Sequence, residues 1–109
     1  MKKYKKKVII TGALGQDGLI LSNLFVKNKF RVFGIVNRLK KKKLKNVTYL
    51  KIPLTNNQIF SKKIKDINPK IFIHLGTNNP NFIESKKKYS FKKNFKIIKN
   101  IIDFFSTNI

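Results

Sequence analysis

The sequence has no cysteine and no tryptophan, only three prolines and five glycines, and four acidic residues in 109. Without cysteine there is neither a disulfide nor a thiolate metal site, a composition that suits the cytoplasm. No apolar run approaches the roughly 20 residues that cross a bilayer. The basic start is followed by an apolar stretch, Val8 to Ile10, far too short for a secretion signal. Neither a membrane partner nor a metal is expected. What is present is a chain of single-domain length, 41% hydrophobic with ten phenylalanines, which argues for a modest packed core rather than disorder.

Charge is the strongest compositional bias: 26 Lys+Arg against 4 Asp+Glu, formally +22. A field of that sign attracts polyanions. Lysine, isoleucine and asparagine are inflated together, however, as AT-rich codon usage produces. The lysines also fall between the apolar positions of nearly every segment instead of forming one stripe. A generic solvated basic surface is therefore favoured over a nucleic-acid face, although such a surface still draws in any phosphorylated ligand.

Val8 to Thr11 is a short β-branched run ending at a glycine, a buried strand. Gly18 to Asn28 carries Leu19, Ile20, Leu21, Leu24, Phe25 and Val26, a pattern for a helix packed on a sheet. Arg31 to Val36 is a second strand, Leu39 to Lys45 a lysine-rich loop, and Val47 to Ile52 a third strand stopped by Pro53. Thr55 is placed to cap a helix through Ile59, Phe60, Ile64 and Ile67 that ends before Pro69. Ile71 to Leu75 is a fourth strand, and Phe91, Phe95, Ile98, Ile102 and Phe105 step by 4, 3, 4 and 3 along a long amphipathic helix. Strands alternating with helices imply parallel pairing through right-handed crossovers. The expected fold is α/β, the first half of a Rossmann-type parallel sheet of about four strands with flanking helices, in the order 3-2-1-4.

The chemistry concentrates in VIITGALGQDGLI, Val8 to Ile20, where Gly12, Gly15 and Gly18 are evenly spaced. A parallel strand that ends in a glycine turn and opens a helix presents free N–H groups and a partial positive charge, which suits a pyrophosphate. Gly12 makes the turn, Gly15 lets a ligand approach the backbone, and Gly18 lets the helix pack on the strand. Gly12, Ala13, Leu14, Gly15, Gln16 and Asp17 are the candidate cofactor residues of this turn. Asp17 has a second reading, as a carboxylate favoured by the helix N-terminus whatever the ligand. Beyond the second strand stands Arg38, and no acid occupies the position about 20 residues past the glycines that holds a ribose hydroxyl in NAD sites. An arginine there can meet a 2′-phosphate, which favours NADP over NAD; the alternative is a solvated loop residue beside the lysine run. His74 is the only histidine and lies inside a strand, so a core or hydrogen-bonded role is expected of it.

The G-x-x-G-x-x-G spacing resembles the extended short-chain dehydrogenase/reductases, and TGALGQDG is most similar to the GDP-mannose 4,6-dehydratase family, of which Gln16-Asp17 is the specific part. Phe33 to Arg38 is similar to that family's second strand end, with Asn37 replacing its first arginine. Leu54 falls where the family lays an Asp-Leu pair against adenine, with Pro53 in place of the aspartate. Asn68 to Gly76 resembles its fourth strand. By that resemblance Leu75, Gly76 and Thr77 border the nicotinamide-side ribose and Tyr89 touches the cofactor. Packing under the long helix is the other role open to Tyr89.

The family's reaction converts GDP-mannose into GDP-4-keto-6-deoxymannose by internal hydride transfer, a lyase chemistry that needs a tyrosine and lysine in Y-x-x-x-K beyond the fifth strand. Tyr89 and Lys93 spell that motif one strand and one helix too early and are not read as catalytic. The expectation is thus one NAD(P)-binding domain over residues 1–109, incomplete at its C-terminus, stopping before the fifth strand and inactive alone. No catalytic residue is assigned, and a nucleotide sugar is a partner only if a C-terminal part exists. Self-association through the exposed edge of the fourth strand is expected as well. The alternatives are another epimerase or reductase of the same superfamily acting on a nucleotide sugar, or a non-catalytic basic fragment that binds nucleotides or nucleic acid.

Overall fold

The computed structural model describes residues 6–36, 44–75 and 84–107, with residues 84–94 and 107 in their backbone only. The elements follow in the order β1 (Lys6–Thr11), α1 (Gln16–Lys27), β2 (Phe30–Ile35), β3 (Val47–Leu50), α2 (Asn57–Ile67), β4 (Ile71–His74) and α3 (Glu84–Thr107). The four strands form one parallel sheet ordered β3-β2-β1-β4, a Rossmann-type arrangement. No helix among the described residues is long and apolar enough to cross a membrane.

Val8, Ile9 and Ile10 on the inner strand β1 are wholly buried, as a strand covered on both faces requires. Side-chain alternation then divides the core in two. Ile9, Phe33, Ile35 and Ile52 pack with Phe60, Ile64, Ile97 and Phe104 beneath α2 and α3. On the opposite face, Val8, Ile10, Val32, Val36 and Val47 pack with Leu21 and Phe25 of α1.

Several local expectations shift. α1 begins at Gln16 rather than Gly18, and Ile20 (60% exposed) and Leu24 (53%) face outward. The rotation is set by Gly18 and Ser22, the two residues buried on α1, which turn positions 20 and 24 to the far side. α2 is capped by Asn56 rather than Thr55: Asn56 Oδ1 accepts the Ile59 N–H at 3.1 Å. The Asn56 N–H donates to the Pro53 carbonyl at 3.1 Å, a turn that carries the chain one residue further before the helix starts. β3 and β4 end at Leu50 and His74, short of Ile52 and Leu75.

Of the stripe expected to bury α3, Phe105 packs on the core, three members do not, and the Phe91 side chain lies outside the described residues. Phe95 (59%) and Ile102 (58%) are exposed with Ile98, while Ile97, Asn100 and Phe104 are buried and Phe105 is partly so. Positions 97, 101 and 104 repeat at helical spacing just as 95, 98 and 102 do. Asn100 selects between them, donating from Nδ2 to the Leu54 carbonyl at 3.0 Å. Phe104 and Phe105 then meet Phe60 and Phe72 edge-on, at 6.0 and 5.4 Å between centroids.

Candidate functional site

The carboxyl ends of the four strands form one rim, where open parallel sheets bind ligands. At its centre Gly12 adopts φ 66°, a left-handed conformation that glycine takes without strain. Its N–H donates to the Ile35 carbonyl at 3.1 Å, which seats the turn on the end of β2, and the Gly15 N–H returns to the Gly12 carbonyl at 3.1 Å. α1 follows, and its first intrahelical bond is Leu19 N–H to the Gly15 carbonyl at 2.9 Å. The N–H groups of Gln16, Asp17 and Gly18 precede that bond, and no side chain among the described residues caps them.

Glycine is demanded at two places here. A Cβ on Gly18 would lie 2.3 Å from the Gly12 carbonyl oxygen and 2.7 Å from the Ala13 backbone. A Cβ on Gly15 would meet only the Gly12 oxygen, at an ordinary 3.4 Å, so packing leaves room there and a ligand can approach the backbone. Gly34 on β2 serves the same turn: a Cβ there would fall 2.7 Å from the Ala13 Cβ and 2.9 Å from the Tyr49 ring. A glycine inside an apolar strand is itself the signal of such a close approach.

Two cavities open on the rim. The first, of about 240 Å³, is lined by Gly12, Gly15, Gln16, Asp17, Gly18 and Leu75. The second, of about 370 Å³ at the ends of β2 and β3, is lined by Val36, Lys51, Ile52 and Pro53. Of the residues singled out in the sequence, Gly12, Gly15, Gln16, Asp17 and Leu75 thus meet around one space. Ala13 is fully buried beneath the turn, and Leu14 is half-buried against the α1-side core. Leu54 packs into the core under α2 and α3. Tyr89 lies on the α3 backbone, while Arg38, Gly76 and Thr77 lie outside the described residues.

His74 and Thr11 close the rim on the β4 side. Thr11, wholly buried, accepts the Leu75 N–H on its hydroxyl oxygen at 2.8 Å, and the same oxygen lies 2.7 Å from His74 Nδ1. His74 Nε2 is buried with no hydrogen-bond partner among the described residues. Burial lowers the His74 pKa below the ordinary 6.5, since the charged ring loses solvation. The unfolded chain therefore binds a proton more readily than the folded one. Stability from this group is complete above pH 6.5 and declines as the pH falls below it toward the folded value. Urea unfolding between pH 8 and pH 5 should show that decline, and His74→Gln should flatten it. Because His74 is the only histidine, an undiminished slope in the variant would contradict this assignment.

The model of the NAD dependent epimerase/dehydratase family matches residues 8–108. No curated protein matches the sequence significantly. Among solved structures, L-threonine dehydrogenase from Clostridium difficile superposes with a TM-score of 0.80 at 24% identity, over 94% of this chain and 33% of that one. Bordetella bronchiseptica WbmH in complex with NAD+ gives 0.78 at 22% identity, over 94% of this chain and 36% of that one. WbmG from the same organism, in complex with NAD and UDP, gives 0.75 at 14% identity over 94% and 34%. At these identities the likeness is one of fold, and the chain spans about a third of each structure's length.

Proposed function

The chain belongs to the NAD dependent epimerase/dehydratase family, and from that premise we propose that residues 1–109 are the NADP-binding part of a nucleotide-sugar dehydratase similar to the GDP-mannose 4,6-dehydratases. The observation that carries the reading is the uncapped start of α1 beside Gly15, whose first residues Gln16, Asp17 and Gly18 line one cavity with the unobstructed Gly15. That cradle fits a pyrophosphate. Gln16 and Asp17, the pair that resembles the dehydratases, both line it.

In this reading the turn from Gly12 to Asp17 holds the pyrophosphate. The cavity at the ends of β2 and β3 takes the adenosine, with Leu54 supporting it from the core. Arg38 meets the 2′-phosphate, which selects NADP over NAD. Leu75, Gly76 and Thr77 border the nicotinamide-side ribose, and Tyr89 touches the cofactor from α3. A bound nicotinamide dinucleotide would supply a hydride acceptor. The chain's own residues bind and orient it, and the base and sugar site of a conversion of GDP-mannose to GDP-4-keto-6-deoxymannose belong outside residues 1–109. Among the described residues β4 pairs with β1 alone, and association of copies through its other edge belongs to the same reading. A second reading, an epimerase or reductase acting on another nucleotide sugar, is favoured by the family itself, which covers epimerases and dehydratases alike.

Titration with NADPH and NADH tests the proposal. Wild type is expected to prefer NADPH, and Arg38→Ala to cut that preference by about tenfold, the worth of one charge-assisted contact. A wild-type chain that binds neither, but binds DNA with a steep salt dependence, would reject it in favour of a basic nucleic-acid-binding fragment.

A further inference from the structure

The larger cavity has a single charged side chain among its described lining residues. Lys51 leaves β3 at its carboxyl end and lines that space with Val36, Ile52 and Pro53. Continuing the Ile35–Leu50 register by one residue sets Lys51 beside Val36. The Val36 N–H to Leu50 carbonyl bond, 2.9 Å, shows that the pairing runs this far. Gly12 is itself bonded to Ile35, so the rim reads, in order, Leu75 of the β4 end, the glycine turn, Val36, then Lys51. A dinucleotide whose pyrophosphate sits on the turn and whose adenosine runs toward β3 carries its adenosine ribose across the end of β2, next to Lys51.

We infer that Lys51 is a specificity-determining residue that pairs with a phosphomonoester on the adenosine ribose. The inference rests on the cofactor reading above and adds to Arg38 a second cation, at the end of β3. The other described lining residues are apolar and none is acidic. Among these described residues a 2′-phosphate would meet no like charge, and its attraction to the ammonium is screened less beside an apolar wall than in open water. A ribose hydroxyl has no charge to offer the lysine. Lys51 therefore discriminates between the two cofactors rather than strengthening both.

The test uses the whole chain as wild type, Lys51→Gln and Lys62→Gln, each titrated with NADPH, NADH, adenosine 2′,5′-bisphosphate and AMP. Lys62 is an exposed lysine on α2, outside the cavity lining, and its variant measures the loss of one charge from the general basic field. Lys51→Gln should weaken NADPH and the bisphosphate by about tenfold, the scale of one charge-assisted contact. NADH and AMP should change by less than about twofold, and Lys62→Gln should leave both ratios at their wild-type values. Equal losses in the two variants, or an unchanged NADPH to NADH ratio in Lys51→Gln, overturn the inference and leave the cofactor site standing. Wild type binding none of the four compounds overturns the cofactor reading, and this inference falls with it.

Discussion

Gly18→Ala is expected to destabilise the chain by roughly 3 kcal/mol or more and to abolish cofactor binding with it. The added Cβ would sit 2.3 Å from the Gly12 carbonyl oxygen and 2.7 Å from two backbone atoms of Ala13. None of these belongs to a side chain that can rotate away. Relief requires α1 to lift from the turn, and its inner face is held by Ser22, fully buried, and by Leu21 and Phe25 against the α1-side core. The alternative, moving the turn, disturbs Gly12, whose N–H is tied to Ile35. Urea unfolding followed by far-ultraviolet circular dichroism reads the loss as a lower midpoint. A wild-type midpoint would mean that α1 does not press on the turn.

Gly15→Val separates binding from folding. Gly15 has φ −76° and ψ 175°, extended backbone open to any residue, and a Cβ there makes only an ordinary contact. As the residue before the first turn of α1 it contributes no side-chain cap, so the change should cost no more than about 1 kcal/mol of stability. Its effect on binding should be far larger. The valine side chain would stand where an anion has to approach the N–H groups of Gln16, Asp17 and Gly18. Losing even two such charge-assisted bonds, at roughly 1.5–3 kcal/mol each, weakens binding on the order of 100-fold or more. Thermal unfolding near wild type together with a lost NADPH titration is the expected pair of results. Wild-type affinity in this variant would show that the dinucleotide does not use the turn.

Together the two substitutions divide a motif that reads as one unit in the sequence. Gly12, Gly15 and Gly18 are equivalent by spacing, but they do different work. Gly12 provides a left-handed turn, Gly18 an interatomic distance, and Gly15 an open approach. Gly34 joins them from another strand, sharing with Gly18 the task of letting backbone or methyl groups close on Ala13. The sequence displays Gly34 only as an interruption in an apolar strand, with nothing to say that its neighbour is a turn more than twenty residues earlier.

The helices show where sequence periodicity stops deciding. On α2, Phe60 and Ile64 are fully buried and Ile67 partly so, as the spacing requires, while Ile59 of the same expected pattern is 42% exposed. α1 and α3 carry apolar residues on more than one face, so several rotations satisfy the same pattern. Ile20 and Leu24 on α1, and Phe95, Ile98 and Ile102 on α3, match helical spacing and nonetheless face outward.

By itself the sequence determined the order of elements, the parallel sheet and the place where a phosphate is to be sought. Each of these follows from chemistry within a few residues: β-branched runs, helical spacing and glycine where a strand becomes a helix. Only the tertiary structure decided how α1 and α3 are rotated, which glycines are compulsory, and that Lys51 shares a rim with the glycine turn. Those outcomes rest on pairs distant in the chain: Asn100 with Leu54, Gly34 with Ala13 and Tyr49, His74 with Thr11. Local spacing carries no record of which distant residue a side chain will meet, and here that meeting turns a glycine motif into a cradle with walls.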